Sequence, residues 1–387
     1  MNLIKVLDEN LNLEDFNYIL PKKNIALYPT NKRENSRLLV YNPKEITDSN
    51  FKNIDNYIPN NSTIFFNDTR VIKSRFLFNK NQRSIIEILV IDSVKLNNKS
   101  VEISALVGNN KKWKEKEILI SKKHSIEIKA IKENKKIIIS WNKKKKWREI
   151  VEIFGTLPLP PYIKRDIEES DLNDYQTVYS KKEGSIASPT AGLHFTEKII
   201  KKLKSNNNID YLTLHVGIGT FKPINKKKII DHKMHSEEII VSKRNIINLK
   251  KSKNIIAVGT TSLRTLESLY YLGIKILNKN KNLNIEQYPY KNLNKNYSKN
   301  EICNFILNFM ETSNLNLLKF RSSIFILPGY NFKFCNQLIT NFHYPKSTLI
   351  LLIAAFIGED WRKVYKFASQ NKFRFLSYGD SSLLFKK

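Results

Sequence analysis

The chain has 387 residues, 41% of them hydrophobic and 11% aromatic, with a formal net charge of +30; that supports a large core and two domains, and it favours a polyanionic partner. Much of the Lys excess travels with Asn and Ile, the composition left by drift towards A+T, so the charge alone does not establish nucleic-acid binding. Cys303 and Cys335 stand apart without ligand spacing, which excludes a disulfide framework and a Cys-based zinc site. The longest apolar run, Leu349 to Ile357, is far short of the ~20 residues that cross a bilayer, and Asp8, Glu9, Glu14 and Asp15 stand where a signal peptide would be apolar, so a soluble cytoplasmic protein is expected.

In chain order, Phe16 to Arg37 is rich in Pro and polar turns and predicts an irregular segment that offers Arg33 and Arg37 to an anion. Ser62 to Phe66 predicts a buried strand ending in Asn67-Asp68-Thr69-Arg70. Polar residues massed at a strand's C-terminal end are where open α/β sheets hold ligands, although an Asx-turn with a surface Arg gives the same string. From Arg75 to Val151 short β-type runs alternate with Lys/Asn turns: Ser84–Ile91, Val101–Val107, Ile118–Ile120, Ser125–Ile131 and Lys136–Trp141. That spacing predicts a small antiparallel barrel or sandwich inserted into an α/β domain; its His124 has no assigned role. The expected division is 1–74 and 156–387 for the major domain and 75–155 for the insert. Leu157 to Tyr162 is a stiff proline connector, and Arg165, Tyr175, Gln176 and Tyr179 lead on from it.

Gly184 to Thr196 reads G-S-I-A-S-P-T-A-G-L-H-F-T, almost free of charge in a chain crowded with Lys. Small residues let a backbone pass close to a ligand, and His194 and Phe195 add a titratable ring and an aromatic face. A tight buried turn is the competing interpretation. A Lys-rich helix follows, then a strand from Tyr211 to Val216 runs into G-I-G-T-F-K-P with His215 at its mouth. The third glycine of a dinucleotide fingerprint is missing. His232 and His235 have metal-ligand spacing but no convincing third ligand. Ile255 to Val258 predicts a buried strand, and Gly259-Thr260-Thr261-Ser262 opens a helix whose N-terminus is an anion cradle. Arg264 and Glu267, three apart, share a face of that helix. Asn278 to Asn300 reads as a long mobile surface loop, and Ile324 to Leu327 as a strand before Pro328-Gly329-Tyr330. Leu338 to Ser347 carries Asn341 and His343 and leads into an apolar helix capped by Ser347; Phe373 to Asp380 forms a docked aromatic end.

Taken together, N-D-T-R-V-I (67–72), G-S-I-A-S-P-T-A-G-L-H-F-T (184–196), L-T-L-H-V-G-I-G-T-F (212–221), D-H-K-M-H-S-E (231–237), A-V-G-T-T-S-L-R-T-L-E-S (257–268), P-G-Y-N-F-K (328–333), T-N-F-H-Y-P-K-S-T-L (340–349) and F-R-F-L-S-Y-G-D (373–380) resemble the S-adenosylmethionine:tRNA ribosyltransferase-isomerase family of queuosine biosynthesis. The resemblance covers nearly the whole chain. It implies a monomer with a mixed α/β major domain and an inserted small antiparallel β-barrel. It implies transfer of the ribosyl part of S-adenosylmethionine onto 7-aminomethyl-7-deazaguanine (preQ1) at the wobble position of tRNA with a GUN anticodon, giving epoxyqueuosine and releasing adenine and methionine, with no metal. Ser188, where the family often has Ala, and Ile224, where Val is common, depart from its pattern.

That chemistry needs a base at C5′ of the sulfonium compound and a proton for the leaving adenine, and histidine suits either task. His194, His215 and His343 are the candidates, with Asp68, Glu237 and Glu267 as the alternative carboxylates. Arg70 and Arg264 are expected to hold the methionine carboxylate or a phosphate, and Glu267 to face the sulfonium or ribose. Thr190, Gly192, Phe195, Gly217, Gly219, Thr260, Thr261 and Asn341 complete the expected substrate contacts; Arg33, Arg37 and Arg165 are expected to meet tRNA. An RNA-binding module without catalysis would explain the charge but not the uncharged His-bearing islands, and a metal-dependent hydrolase would rest on His232 and His235.

Overall fold

The computed structural model of the chain describes residues 11–81, 84–134, 136–217, 219, 224, 226, 228–291, 293 and 295–387. Asp8 and Glu9 lie outside them, as do Ile218 and residues 220–223 of the glycine loop. Residues 71–172 form one compact unit and the rest of the chain another.

The unit 71–172 is built on a six-stranded antiparallel sheet, in the order Arg75–Asn81, Ser84–Asn97, Ser100–Gly108, Lys136–Trp141, Ile126–Glu133, Ile118–Lys123. Its two outer strands meet, so the sheet is nearly closed. Alternation builds it: Ile126, Ile128 and Ala130 point inward with Phe76, Phe78, Ile86, Ile88, Trp113 and Ile139, while Lys129 between them faces water and Glu127 is half-buried.

The other unit holds a nine-stranded mixed sheet. Its strands are β1 (Arg37–Asn42), β2 (Glu45–Asn50), β3 (Ser62–Asn67), β4 (Asn208–Leu214), β5 (Glu237–Ser242), β6 (Asn254–Val258), β7 (Leu317–Ser322), β8 (Gln337–Asn341) and β9 (Ser381–Phe385). The spatial order is β7-β5-β4-β3-β6-β8-β9-β1-β2. The central four, β4-β3-β6-β8, run parallel, and every residue of β3 and β8 is buried, as a strand covered on both faces requires. Helix α1 (Glu197–Lys204) is capped by Thr196, whose Oγ1 accepts from Ile199 N at 3.3 Å. Helix α2 (Gly259–Leu277) follows β6 directly and is buried for most of its length. Helix α3 (Thr348–Ile357) starts at the expected cap, with Ser347 Oγ accepting from Ile350 N at 3.2 Å. One core joins Ile64 and Phe66 of β3, Ile256 and Val258 of β6, and Phe195, Ile199 and Leu203 around α1. The architecture is the expected α/β sheet with an inserted, barrel-like antiparallel sheet.

Two expectations need correction. Ile324 to Leu327 is not a strand: the four side chains are buried, but the backbone pairs in no sheet. The strand lies just before it, in β7, whose alternating exposed and buried residues mark a sheet edge. A run of consecutive buried apolar residues has the same signature whether it lies in a central strand or in a buried coil. The stretch 278–300 is docked in its described residues: Ile285 is 2% exposed and bridges to Ser322, and Tyr290 donates its hydroxyl hydrogen to Phe325 O at 2.5 Å. Ser298 then caps a helix at Lys299–Thr312. The Lys/Asn composition hid the apolar anchors between which it hangs.

Candidate active site at the carboxyl edge of the sheet

Because β4, β3, β6 and β8 are parallel, their C-terminal ends open on a single edge, the place where α/β sheets hold ligands. That edge carries His215 after β4, Asn67-Asp68-Thr69 at the end of β3, Gly259-Thr260-Thr261 after β6, and Asn341 with His343 at the end of β8. The 184–196 stretch crosses it. Lys182–Ser185 pairs with Thr69–Val71. Ser185 Oγ accepts from Val216 N at 2.9 Å, and Ile186 N donates to Val216 O at 3.0 Å, stitching the stretch to the continuation of β4. Farther on, a Cβ at Gly259 would stand 3.6 Å from Ala191, and Thr190 Oγ1 reaches Asn341 Oδ1 at 3.5 Å. Gly192 has no side chain because the hydroxyl of Tyr179 occupies that space. Small residues are therefore demanded where a backbone runs flush against strand ends.

Asn67 braces the corner in a way the sequence did not announce. Its Oδ1 accepts from Leu214 N at 3.0 Å and Thr69 N at 3.2 Å, while Nδ2 donates to Leu214 O and to Thr261 Oγ1. The amide thus ties β3, β4 and the first turn of α2 together. Beside it, His215 is half-buried, and its Nδ1 lies 2.8 Å from Thr69 Oγ1. Gly184 lets the crossing backbone lie against the ring: a Cβ there would stand 2.9 Å from Cε1, at a φ of +143°. Nε2 of His215 has no hydrogen-bond partner among the described residues. Burial lowers the pKa of His215, with Glu238 and Asp68 pulling it partly back up. Asp68 is buried, its pKa raised by that burial despite the hydrogen bond from Thr213 Oγ1 to Oδ1 at 2.6 Å. The result is a neutral imidazole at physiological pH with two carboxylates near enough to stabilise its protonated form.

His194 is different. Asn341 Nδ2 donates to its Nε2 at 3.2 Å, so Nδ1 carries the hydrogen and donates to Ser36 Oγ at 2.8 Å; Ser36 Oγ in turn donates to Arg33 O. Both ring nitrogens are taken, and burial pulls the pKa down to about 3. His343 hydrogen-bonds through Nε2 to Thr340 Oγ1 at 3.0 Å and, through its backbone, to Tyr365 and Tyr18. Burial brings it to about 3 as well. The three rings share no hydrogen-bond partner among the described residues.

With this geometry in place, comparison with known proteins decides the lineage. The model of the family described as queuosine biosynthesis protein matches residues 13–384. The chain belongs to the queuosine biosynthesis protein family. Among its relatives, an S-adenosylmethionine:tRNA ribosyltransferase-isomerase from Sulfurihydrogenibium sp. is 36% identical over 97% of this chain and 100% of its own length. One of the same name from Buchnera aphidicola is 38% identical over 96% of each chain. A crystal structure of an S-adenosylmethionine tRNA ribosyltransferase from Thermotoga maritima aligns over 96% of this chain at 25% identity, with a TM-score of 0.47.

In this member of the queuosine biosynthesis family, several expected site residues serve the scaffold instead. Glu267 is fully buried, and its carboxylate accepts from Tyr330 OH and from the backbone N–H groups of Lys333, Phe334 and Cys335. No room is left there for a sulfonium or ribose. Phe195 is wholly buried, edge-on to Phe51 and Phe66 at 4.9 Å, and cannot meet a ligand. Arg37 is paired with Asp48 and lies 3.8 Å above the ring of Phe373. Arg33 donates to Asn173 O and Gln176 O, and Arg165 grips Asp171 with both arms at 2.7 Å. These three arginines tie chain segments together. Arg70 is exposed and reaches Ser180 Oγ at 3.3 Å.

Thr260 and Thr261 are buried in the first turn of α2, whose N-terminus has no side-chain cap. Gly217 N donates to Glu237 Oε1 at 3.1 Å, and Gly219 lies against the ring of His235. His235 Nε2 in turn contacts Glu237 Oε1 at 2.9 Å, and Arg264 Nη1 pairs with Oε2. Burial alone would raise the Glu237 pKa, but Arg264 and His235 outweigh it and hold the group at about 2. Of the His232/His235 pair, His235 contacts the Glu237–Arg264 ion pair while the His232 ring lies edge-on to Phe325 at 5.7 Å, and no cluster of three or more His, Cys, Asp or Glu suited to a metal occurs among the described residues. The sequence set Arg264 beside Glu267 on one helix face; the structure sends their charges to different partners, Glu237 and the 333–335 backbone.

Proposed function

We propose that this protein transfers and isomerises the ribosyl moiety of S-adenosylmethionine onto 7-aminomethyl-7-deazaguanine at the wobble position of tRNAs with GUN anticodons, giving epoxyqueuosine-tRNA, adenine and methionine. It acts as a cytoplasmic monomer and needs no metal. The names of its relatives support the reaction class. The observation that carries the reading to particular residues is the free Nε2 of His215 at the edge where the parallel strands end, backed by Thr69 and flanked by Asp68.

The sulfonium acidifies the adjacent C5′–H bond. Neutral His215 takes that proton at Nε2, leaving the electron pair on carbon as the ylide, and Asp68 and Glu238 stabilise the imidazolium that forms. Adenine later departs with the electrons of its glycosidic bond and needs a proton, which the imidazolium can return. Methionine leaves as a neutral thioether. The basic surface holds the tRNA, so its binding weakens steeply with salt.

The test is adenine release from S-adenosylmethionine by the full chain. Release is expected only with tRNA that carries the aminomethyl base, and EDTA should leave the rate unchanged. Release without that tRNA, no release at all, or complete loss in EDTA would each contradict the reading.

A further inference from the structure

Thr69, just past the end of β3, makes two contacts with one hydroxyl. Oγ1 lies 2.8 Å from His215 Nδ1 and donates to Lys182 O at 3.4 Å. A threonine hydroxyl has a single hydrogen, and a backbone carbonyl can only accept. If that hydrogen went to Nδ1, Lys182 O would face an oxygen lone pair. If it goes to Lys182 O, Oγ1 accepts from Nδ1–H, and both contacts are hydrogen bonds. Thr69 is fully buried, so its hydroxyl has no bulk water to turn to instead. The corner holds this arrangement in place. Asn67 Oδ1 accepts from Thr69 N, and the N–H groups of Lys181 and Lys182 donate to Asp68 O at 2.8 and 3.1 Å, which keeps the crossing stretch beside Thr69. The same stretch passes the ring at Gly184, where a Cβ would stand 2.9 Å from Nδ1, so the imidazole has little freedom to swing off the hydroxyl.

We infer that Thr69 is a positioning residue that fixes His215 in the Nδ1–H tautomer, so that the lone pair sits on Nε2, the nitrogen left open. Free histidine favours the opposite tautomer. In that form the ring would present its lone pair to Thr69 and a hydrogen to the substrate. Nδ1–H is a donor in the neutral and the protonated ring alike, so Nε2 can take and return a proton with no turn of the hydroxyl. Among the described residues Thr69 is the only hydrogen-bond partner of the ring. Asp68 and Glu238 act on its charge, and the choice of nitrogen falls to Thr69. The tautomer stands on this geometry alone; its part in turnover rests on the reading that His215 is the base of the ribosyl transfer.

The test is heteronuclear NMR of the full-length protein with isotope-labelled histidines, above the pKa of His215, with its signals assigned by their absence in His215→Gln. The wild type should show Nδ1 protonated and Nε2 bare. Thr69→Val removes the hydroxyl at nearly constant volume, so the hydrogen should move largely to Nε2. The single-turnover rate of adenine release with tRNA bearing the aminomethyl base should then fall roughly tenfold, in proportion to the ring left in the competent tautomer, while S-adenosylmethionine affinity holds. Thr69→Ser keeps a hydroxyl and should return the wild-type spectrum and bring the rate back to within about threefold. Thr69→Ala answers the same question if Thr69→Val does not fold. A packing role alone would lower the stability of these variants and leave the spectrum as it was. Nε2–H in the wild type would overturn the inference, as would an unchanged spectrum in Thr69→Val or Thr69→Ala, or a Thr69→Ser that behaves like Thr69→Val. Failure of the underlying reaction reading is distinct: a wild type with a bare Nε2 that releases no adenine contradicts that reading and leaves the tautomer assigned.

Discussion

The two ends of the 184–196 crossing make different use of the same residue type. At its start, Gly184 lies against His215, whose Nδ1 is anchored to Thr69 while Nε2 stays open. Near its end, His194 is held at both nitrogens between Ser36 and Asn341. Both rings lie at the carboxyl edge of one sheet, and burial lowers both pKa values. What separates them is saturation. A ring with both nitrogens satisfied holds three chain segments together, and a ring with one nitrogen free can move a proton.

The sharpest break of this comparison is by rate. His215→Ala should lower the single-turnover rate about 10²–10⁴-fold, the usual contribution of a general base, with little change in thermal stability. His194→Ala should lose stability by about 1–3 kcal/mol through unpaired buried groups and turn over within about tenfold of the parent. If His194→Ala loses as much rate as His215→Ala while remaining folded, saturation is not what distinguishes the two.

A smaller effect appears in stability against pH. His194 and His343 stay neutral in the folded protein down to about 3, whereas in the unfolded chain each takes up a proton near ~6.5. Between those values the unfolded state binds more protons, so stability should be full above pH ~6.5 and fall as pH drops towards 3. Glu237, held at about 2, adds a loss of the same sign only below the ordinary carboxylate range of ~4.5. Urea midpoints from pH 7 to pH 5 therefore report the histidines, and His194→Gln should flatten that slope. An unchanged slope would show that the ring is not held neutral by its burial.

The sequence made the edge legible. Asn67-Asp68-Thr69, Gly259-Thr260-Thr261, Asn341 and the small residues of 184–196 were all visible as uncharged islands, and parallel strands brought their ends together. It did not reveal that His194 has both ring nitrogens taken while His215 keeps Nε2 free, because that depends on Ser36 and Thr69, partners distant in sequence and ordinary in type. Glu267 was misjudged for the same reason: nothing near it in sequence foretells three backbone N–H groups arriving from 333–335. The Lys-rich 278–300 stretch masked Ile285 and Tyr290 as anchors, since a pair of apolar residues without periodicity carries no signal.

The most direct test of His215 as the base is exchange at C5′. S-adenosylmethionine deuterated at C5′, incubated with the protein and tRNA carrying the aminomethyl base, should lose deuterium to water with the wild type and with His194→Gln. With His215→Gln the loss should be about 10²-fold slower or more, even though S-adenosylmethionine still binds. Deuterium loss by His215→Gln at the wild-type rate would contradict the assignment and move the base to Asp68 or His343.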